Sequence, residues 1–231
     1  MAGVSAVRWI LVAVVLLTML RPALAQSLEG AGPIFSLAID PVTPTTLYIG
    51  AQGVWKSING GATWNITGLT DREQYSLAID PVTPTTLYAG RGGAIARSTN
   101  AGMSWTSVAV VGDVYGLLID SGSPATLYAQ VSTNSGWTVL KSTDGGLSWF
   151  ETAPPVHLTI NGLAMDASRP TNLYATASDP RVAGADCCIV FRSTDGGASW
   201  IERGTVTANL LPRQKGPVRP GRRTACRGLS P

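Results

Sequence analysis

Polar and charged residues that could do chemistry occur in short stretches found only once in the chain. Two opposed carboxylates are what glycoside hydrolysis requires, and arginine binds acidic ligands. Asp71 could pair with Asp113 or Asp186, but their spacing does not support such a pair, so no catalytic residue is assigned. We interpret these unrepeated residues as candidate ligand-binding loops: Asp71, Arg72, Glu73, Arg91, Asp113, Tyr115, His157, Asp179, Arg181 and Asp186.

Other residues with reactive side chains recur at fixed positions, which indicates a structural role. A tyrosine ends the same motif four times, at Tyr48, Tyr88, Tyr128 and Tyr174. An aspartate precedes a Pro- or Ser-rich corner at Asp40, Asp80, Asp120 and Asp166. Catalysis needs a nucleophile or acid once, not four times. We therefore predict that the tyrosines pack and that the aspartates form turns.

An eight-residue pattern, S-x-[DN]-x-G-x-[ST]-W, follows each of these motifs. Its Asp or Asn can accept backbone hydrogen bonds, its Gly tolerates positive φ, and its Trp supplies a large apolar ring. The first two copies carry Asn rather than Asp, which halves the charge a calcium site needs, so no metal is predicted. The structural positions are Ser57, Asn59, Gly61, Trp64, Ser98, Asn100, Gly102, Trp105, Ser142, Asp144, Gly146, Trp149, Ser193, Asp195, Gly197 and Trp200.

The elements that position these residues repeat with a period typical of propeller blades. Ser36 to Tyr48 reads SLAIDPVTPTTLY, and Ser76 to Tyr88 repeats it letter for letter. Each repeat holds four short β-compatible segments separated by turns. The sequence predicts an all-β fold of four-stranded antiparallel blades at about 33–70, 71–110, 111–154 and 155–204. Leu37, Ile39, Leu47, Tyr48 and Trp64, with their equivalents, should pack between blades.

The eight-residue pattern resembles the Asp-box, or BNR, repeat of sialidase-like and sortilin-like β-propellers and of family-74 glycoside hydrolases. In that family the box is a structural corner away from the catalytic centre. The resemblance implies a small ring or a partial, truncated propeller. A sialidase would also carry an Arg-Ile-Pro motif near the first blade, where this chain has Gly32-Pro33-Ile34-Phe35. A xyloglucan hydrolase would need a cleft between two propellers.

The two ends of the chain differ from the repeats. Residues 1–25 carry Arg8, an apolar run from Trp9 to Leu20 and an Ala-Leu-Ala site, which predicts a secretory signal peptide and no stable membrane span. Eight of the 17 Lys and Arg lie in this segment and the tail, leaving nine against 14 Asp and Glu in residues 26–204. This acidic body argues against nucleic-acid binding. Residues 205–231 are interpreted as a basic disordered tail or as an out-of-frame extension that replaced further blades.

The functional prediction is a secreted, extracellular or periplasmic propeller that binds or scaffolds glycan or protein ligands without catalysis. No cofactor is predicted, and further blades or a partner chain would complete the ring. The alternative is a glycoside hydrolase, sialidase-like or xyloglucanase-like, or a fragment of one. The spacing of Cys187, Cys188 and Cys226 does not form a disulfide framework. A vicinal Cys187–Cys188 bridge and free or opportunistically paired thiols both stay open.

Overall fold

The computed structural model describes residues 28, 30–70, 74–110, 112–152, 158–178 and 187–207. The regular elements in this part of the chain are β-strands, arranged in four antiparallel sheets of four strands each, and every sheet contains four consecutive strands paired in chain order. This confirms the predicted all-β fold of four-stranded units. We call these sheets blades 1 to 4.

The strand bounds follow the sequence repeats. Blade 1 contains β1 (Ser36–Ile39), β2 (Leu47–Ala51), β3 (Gly53–Ser57) and β4 (Asn65–Ile66). Blade 2 contains β5 (Gln74–Ile79), β6 (Leu87–Arg91), β7 (Ala94–Ser98) and β8 (Thr106–Val110). Blade 3 contains β9 (Asp113–Ile119), β10 (Leu127–Thr133), β11 (Gly136–Ser142) and β12 (Phe150–Glu151). Blade 4 contains β13 (Thr159–Met165), β14 (Leu173–Ser178), β15 (Cys187–Ser193) and β16 (Ile201–Thr207).

Each blade has two ends because its neighbouring strands are antiparallel. The box end carries the corner between the first and second strands and the eight-residue box turn between the third and fourth. The hairpin end carries the connection between the second and third strands and the segment that leads from one blade to the next. The first strands, β1, β5, β9 and β13, lie beside one another in order. They therefore form the inner wall of the blade array.

Apolar side chains fill the contacts between successive blades, which we call seams. Tyr48 and Val54 of blade 1 pack with Leu87 and Ala89 of blade 2. Equivalent clusters join blade 2 to blade 3 and blade 3 to blade 4. Each fully buried Val or Leu contributes roughly 1.5–3 kcal/mol to folding. The seams are therefore the core, as a sheet covered by a neighbour on each face requires.

The predicted core is correct at the seams but wrong at the face of blade 1 that points away from blade 2. Leu37 and Ile39 are 60% and 55% exposed, whereas Leu77 and Ile79, in an identical stretch of sequence, pack against the first seam. At the other end Tyr174 is 38% exposed, whereas Tyr128 is 2% exposed. The physical reason is position, because no described blade precedes blade 1 or follows blade 4.

Candidate functional site

The corner aspartates at the box end are occupied by their own turns. The Asp40 Oδ1 atom accepts the backbone N–H groups of Val42 and Thr43 at 2.9 and 3.0 Å. Asp80, Asp120 and Asp166 accept the equivalent N–H groups in their corners. These contacts agree with the predicted turn role of the corner aspartates.

The box turns are built from the same kind of local hydrogen bond. In blade 1 the Ser57 hydroxyl donates to Asn59 Oδ1 and accepts the Gly61 N–H, both at 2.9 Å. The Asn59 Oδ1 atom also accepts the Thr63 N–H at 2.9 Å. In blades 3 and 4 an aspartate takes the place of this asparagine with the same partners. One polar side chain thus closes each turn from within.

The two box aspartates are stabilised as carboxylates. Hydrogen bonds from the Ser148 hydroxyl and N–H, together with the Ser142 hydroxyl, lower the pKa of Asp144 to about 2. The Ser199 hydroxyl and N–H, with the Ser193 hydroxyl, lower the pKa of Asp195 to about 2. Neither group can hold a proton near neutral pH, so neither can act as a general acid.

The first three of the repeated tyrosines join their blade to the box turn of the next. The hydroxyls of Tyr48, Tyr88 and Tyr128 donate to the carbonyls of Ala101, Gly145 and Gly196, at 3.4, 3.0 and 3.1 Å. These carbonyls occupy the fourth position of successive boxes. Burial, with a smaller effect of Asp40 or Asp120, raises the pKa of Tyr48 and Tyr128 to about 12. Tyr48 and Tyr128 are therefore neutral packing residues and not activated nucleophiles.

A basic residue that we did not predict completes each of these contacts. Lys141 Nζ lies 5.4 Å from the centre of the Tyr128 ring and donates to the Gly196 carbonyl at 2.9 Å. Lys56 likewise lies over the Tyr48 ring and donates to the Ala101 carbonyl at 3.4 Å, and Arg97 and Arg192 lie over the rings of Tyr88 and Tyr174. The signal was present in the sequence, since a Lys or Arg precedes the Ser of every box.

Two shallow clefts open on the seams at the box end. One of about 330 Å³ lies between blades 1 and 2 and is lined by Lys56, Thr67 and Met103 among others. The second, of about 270 Å³, lies at the equivalent place between blades 3 and 4, beside Lys141, Thr152 and Ala198. Because matching positions of the repeat line both clefts, we attribute them to blade packing rather than to a specific ligand site.

The hairpin end holds residues that differ from blade to blade. The pairing of the first two strands shifts register in blades 2, 3 and 4, and the shifts leave Tyr75, Tyr115 and Asn161 as bulged residues. Such bulges re-aim a side chain and are common beside functional sites. Tyr115 is 43% exposed. This irregular edge of the inner strands is the candidate site.

Three predicted residues meet around this edge in blades 2 and 3. An Asp113 carboxylate oxygen lies 3.5 Å from where a Cβ on Gly92 would stand, so it reaches the β6–β7 hairpin that begins after Arg91. The ring of Tyr115 lies 5.0 Å from that of Trp137, centre to centre, at 37°. Trp137 was not predicted, although it has no counterpart in the other blades. The structure therefore brings Arg91, Asp113 and Tyr115 to one region and adds an aromatic partner.

The other predicted site residues lie outside the described residues, and their roles stay predictions: Asp71, Arg72, Glu73, His157, Asp179, Arg181 and Asp186. The same holds for the signal peptide, for most of the tail and for Cys226. Within the described ranges, no group of three or more His, Cys, Asp or Glu side chains could hold a metal ion. A helix long and apolar enough to cross a membrane is likewise not found in that part of the chain.

Comparison with known proteins shows the class of fold. The structure is similar to an ancestral GH74 enzyme, with a TM-score of 0.63 and 22% identity over 75% of this chain and 26% of that one. It is also similar to the GH74 xyloglucanase from Xanthomonas campestris, with a TM-score of 0.60 and 21% identity over 72% and 29% of the two chains. YCF48 from Cyanidioschyzon merolae gives a TM-score of 0.55 and 14% identity over 77% and 58%.

At these identities the similarity shows the fold alone, which is a β-propeller. No family model matches the sequence, and no curated protein matches it significantly. The chain spans less than a third of the length of the GH74 enzymes and 58% of the YCF48 chain. The four described blades therefore match part of each of these longer chains.

Proposed function

We propose that the chain is a secreted Asp-box β-propeller module that binds a glycan at the hairpin end of blades 2 and 3 and does not catalyse a reaction. The observation that carries the proposal is that the two ends of the blades hold different kinds of residue. Repeated polar side chains are used by turns and seams at the box end. The unrepeated Arg91, Asp113, Tyr115 and Trp137 gather at the other end.

The chemistry of this region suits a sugar. Tyr115 is 43% exposed and stacks on Trp137, which is half-buried against the seam between blades 3 and 4, so the pair presents a supported aromatic surface. Apolar ring faces with a few placed polar groups are typical of ligand sites. Asp113 adds an acceptor for hydroxyl groups, which carry no charge to repel it. Fold alone does not select a function, so the proposal rests on these side chains rather than on the neighbours.

A binding assay with matched variants tests the proposal. The full chain is titrated by calorimetry with soluble xyloglucan and with two unrelated neutral polysaccharides. We expect Tyr115→Ala and Trp137→Ala to weaken binding at least about tenfold, since each removes an aromatic surface worth more than about 1.4 kcal/mol. Phe150→Ala, which alters an aromatic residue that is 49% exposed on β12, should leave binding unchanged.

Failure of every glycan to bind would overturn the glycan assignment. Equal loss in the Phe150→Ala variant would overturn the location of the site.

A glycosidase is the second candidate, because several structural neighbours are GH74 enzymes. The same samples can be examined for reducing ends released from xyloglucan and for cleavage of an aryl sialoside. Turnover that disappears in an Asp113→Ala variant would replace the binding proposal with catalysis. The corner and box aspartates are poorer candidates for that role, since their own turns already use at least one oxygen of each carboxylate.

A further inference from the structure

We propose that the chain associates head to tail with a second copy of itself. The face of blade 4 that points away from blade 3 would pack on the face of blade 1 that points away from blade 2 in the other copy. The contact would repeat the seam that already joins the blades within one copy. This inference is independent of the proposed ligand site.

Each internal seam uses two complementary halves. The preceding blade supplies a tyrosine hydroxyl with a cation over its ring, and the following blade supplies the carbonyl at the fourth box position. That carbonyl is presented by a residue in the left-handed region, with φ of 56° at Ala101, 72° at Gly145 and 67° at Gly196. Apolar side chains of the next inner strand cover the tyrosine.

Among the described residues, both halves remain exposed at the two ends of the array. Blade 4 carries Tyr174 with Arg192 over its ring, and this tyrosine is 38% exposed where its equivalents are buried. Blade 1 carries Gly60 at the fourth box position with φ of 69°, and its inner strand exposes Leu37 and Ile39. Each exposed half matches the missing partner of the other in residue type, backbone conformation and place in the blade.

A second copy is the occupant that supplies both halves at once. Blade 4 of the first copy would meet blade 1 of the second, and blade 4 of the second would meet blade 1 of the first. A head-to-tail contact closes when the rotation allows it. Two copies of the four described blades would give an eight-bladed ring, within the range of about 4–8 blades common in propellers.

Oligomeric mass and two face-specific variants test this. The full chain, expressed with its own N-terminal segment and kept under reducing conditions, is measured by sedimentation and light scattering over a dilution series. We expect a dimer that dissociates on dilution. Leu37→Asp and Tyr174→Asp should each weaken it at least about tenfold, since each places a charge in a closed apolar contact. The circular dichroism spectrum of each variant reports whether it is folded.

Mixing the two variants separates head-to-tail from face-to-face pairing. The Leu37→Asp copy retains an intact blade 4 and the Tyr174→Asp copy an intact blade 1, so the mixture should regain heterodimers through one native contact. Phe150→Asp, on an exposed position of β12, is the control and should stay dimeric. If either charge destabilises the fold, Leu37→Asn and Tyr174→Phe make the same comparison.

A chain that is monomeric at all concentrations would overturn the proposal. So would a dimer that only one of the two faces affects, because that outcome indicates pairing of like faces. If the native chain forms oligomers larger than a dimer and both variants lose them, the head-to-tail contact is supported but the closed pair is overturned.

Discussion

At the scale of single residues, the box turn depends on backbone conformation more than on side-chain chemistry. The fourth and fifth positions both have positive φ in all four blades. Glycine fills these positions except at Ala101, whose φ is 56°. A side chain in this region costs about 1–2 kcal/mol, so the second box carries strain that the others lack.

Replacing Ala101 by glycine should therefore stabilise the protein. We expect Ala101→Gly to raise the free energy of unfolding by about 1 kcal/mol, after the added flexibility of the unfolded chain is subtracted. Urea denaturation followed by tryptophan fluorescence measures the change. Gly145→Ala is the matched control, because it adds the same strain to the third box without a close contact. No change in either variant would show that the turns relax without cost.

The box aspartates should make stability depend on acid pH. The pKa of Asp144 is about 2 in the folded protein against 3.8 for a free side chain, so its ionised form stabilises the fold above about pH 4. This contribution is lost as the pH falls towards about 2. The Asp144→Asn variant carries the residue found at Asn59 and Asn100. Between about pH 4 and about pH 2 it should lose less stability than the native chain.

Thermal unfolding at several pH values between 2 and 7 provides the measurement for Asp144→Asn. Parallel curves for the variant and the native protein would contradict the assigned role of the carboxylate. The substitution should have little effect at pH 7, because asparagine keeps the acceptor oxygen that closes the turn, as it does in blade 1.

At the scale of elements, the seam is the unit that holds two blades together. Its hydrogen bond joins Tyr128 to Gly196, and Lys141 donates to the same carbonyl. The position of the tyrosine in the motif is clear from the sequence, but its acceptor is not, since the partner lies in the next repeat. The basic residue also belongs to this unit, which explains its presence before every box.

Removing one seam hydroxyl should cost a modest and position-dependent amount. We expect Tyr128→Phe to lower the free energy of unfolding by about 0.5–1.5 kcal/mol, the usual net value of a hydrogen bond. Tyr174→Phe should have almost no effect in dilute solution, where that face is uncovered. Chemical denaturation measures the free energy of unfolding of both variants. An equal decrease in the two would show that the hydroxyl acts within its own blade.

At the scale of the whole molecule, stability should be greatest in the middle of the array. Blades 2 and 3 have a described neighbour on each side, whereas blades 1 and 4 have one. In repeat architectures each unit gains stability from contacts with its neighbours. In the dissociated chain at low concentration, backbone amides of β10 should therefore exchange with solvent more slowly than those of β2, the equivalent strand of blade 1. Hydrogen exchange with mass spectrometry tests this, and uniform protection across the four blades would contradict it.

Much of the fold could be predicted because the sequence repeats the pattern of one blade four times. The strands, corners and box turns are local, so residue types within about ten positions determine them. Burial could not be predicted from the same information. Leu37 and Leu77 lie in identical segments but differ in exposure, because the difference comes from the neighbouring blade and not from the segment.

The candidate site was predicted less completely than the fold. Arg91, Asp113 and Tyr115 were selected because they break the repeat, and the structure places them at one end of adjacent blades. The aromatic contact between Tyr115 and Trp137 was missed, since it spans two strands of one sheet and depends on a register shift. A tryptophan without a counterpart in the other repeats was the available signal.

The tyrosine contacts between blades also set an order for folding. Tyr48 bonds to a carbonyl 53 residues further along the chain, Tyr88 to one 57 residues away and Tyr128 to one 68 residues away. A blade emerging from the ribosome or a translocation pore can form its own strands, but its tyrosine gains a partner only when the following box has emerged. Assembly should therefore proceed from the N-terminus, with each new blade locking the one before it.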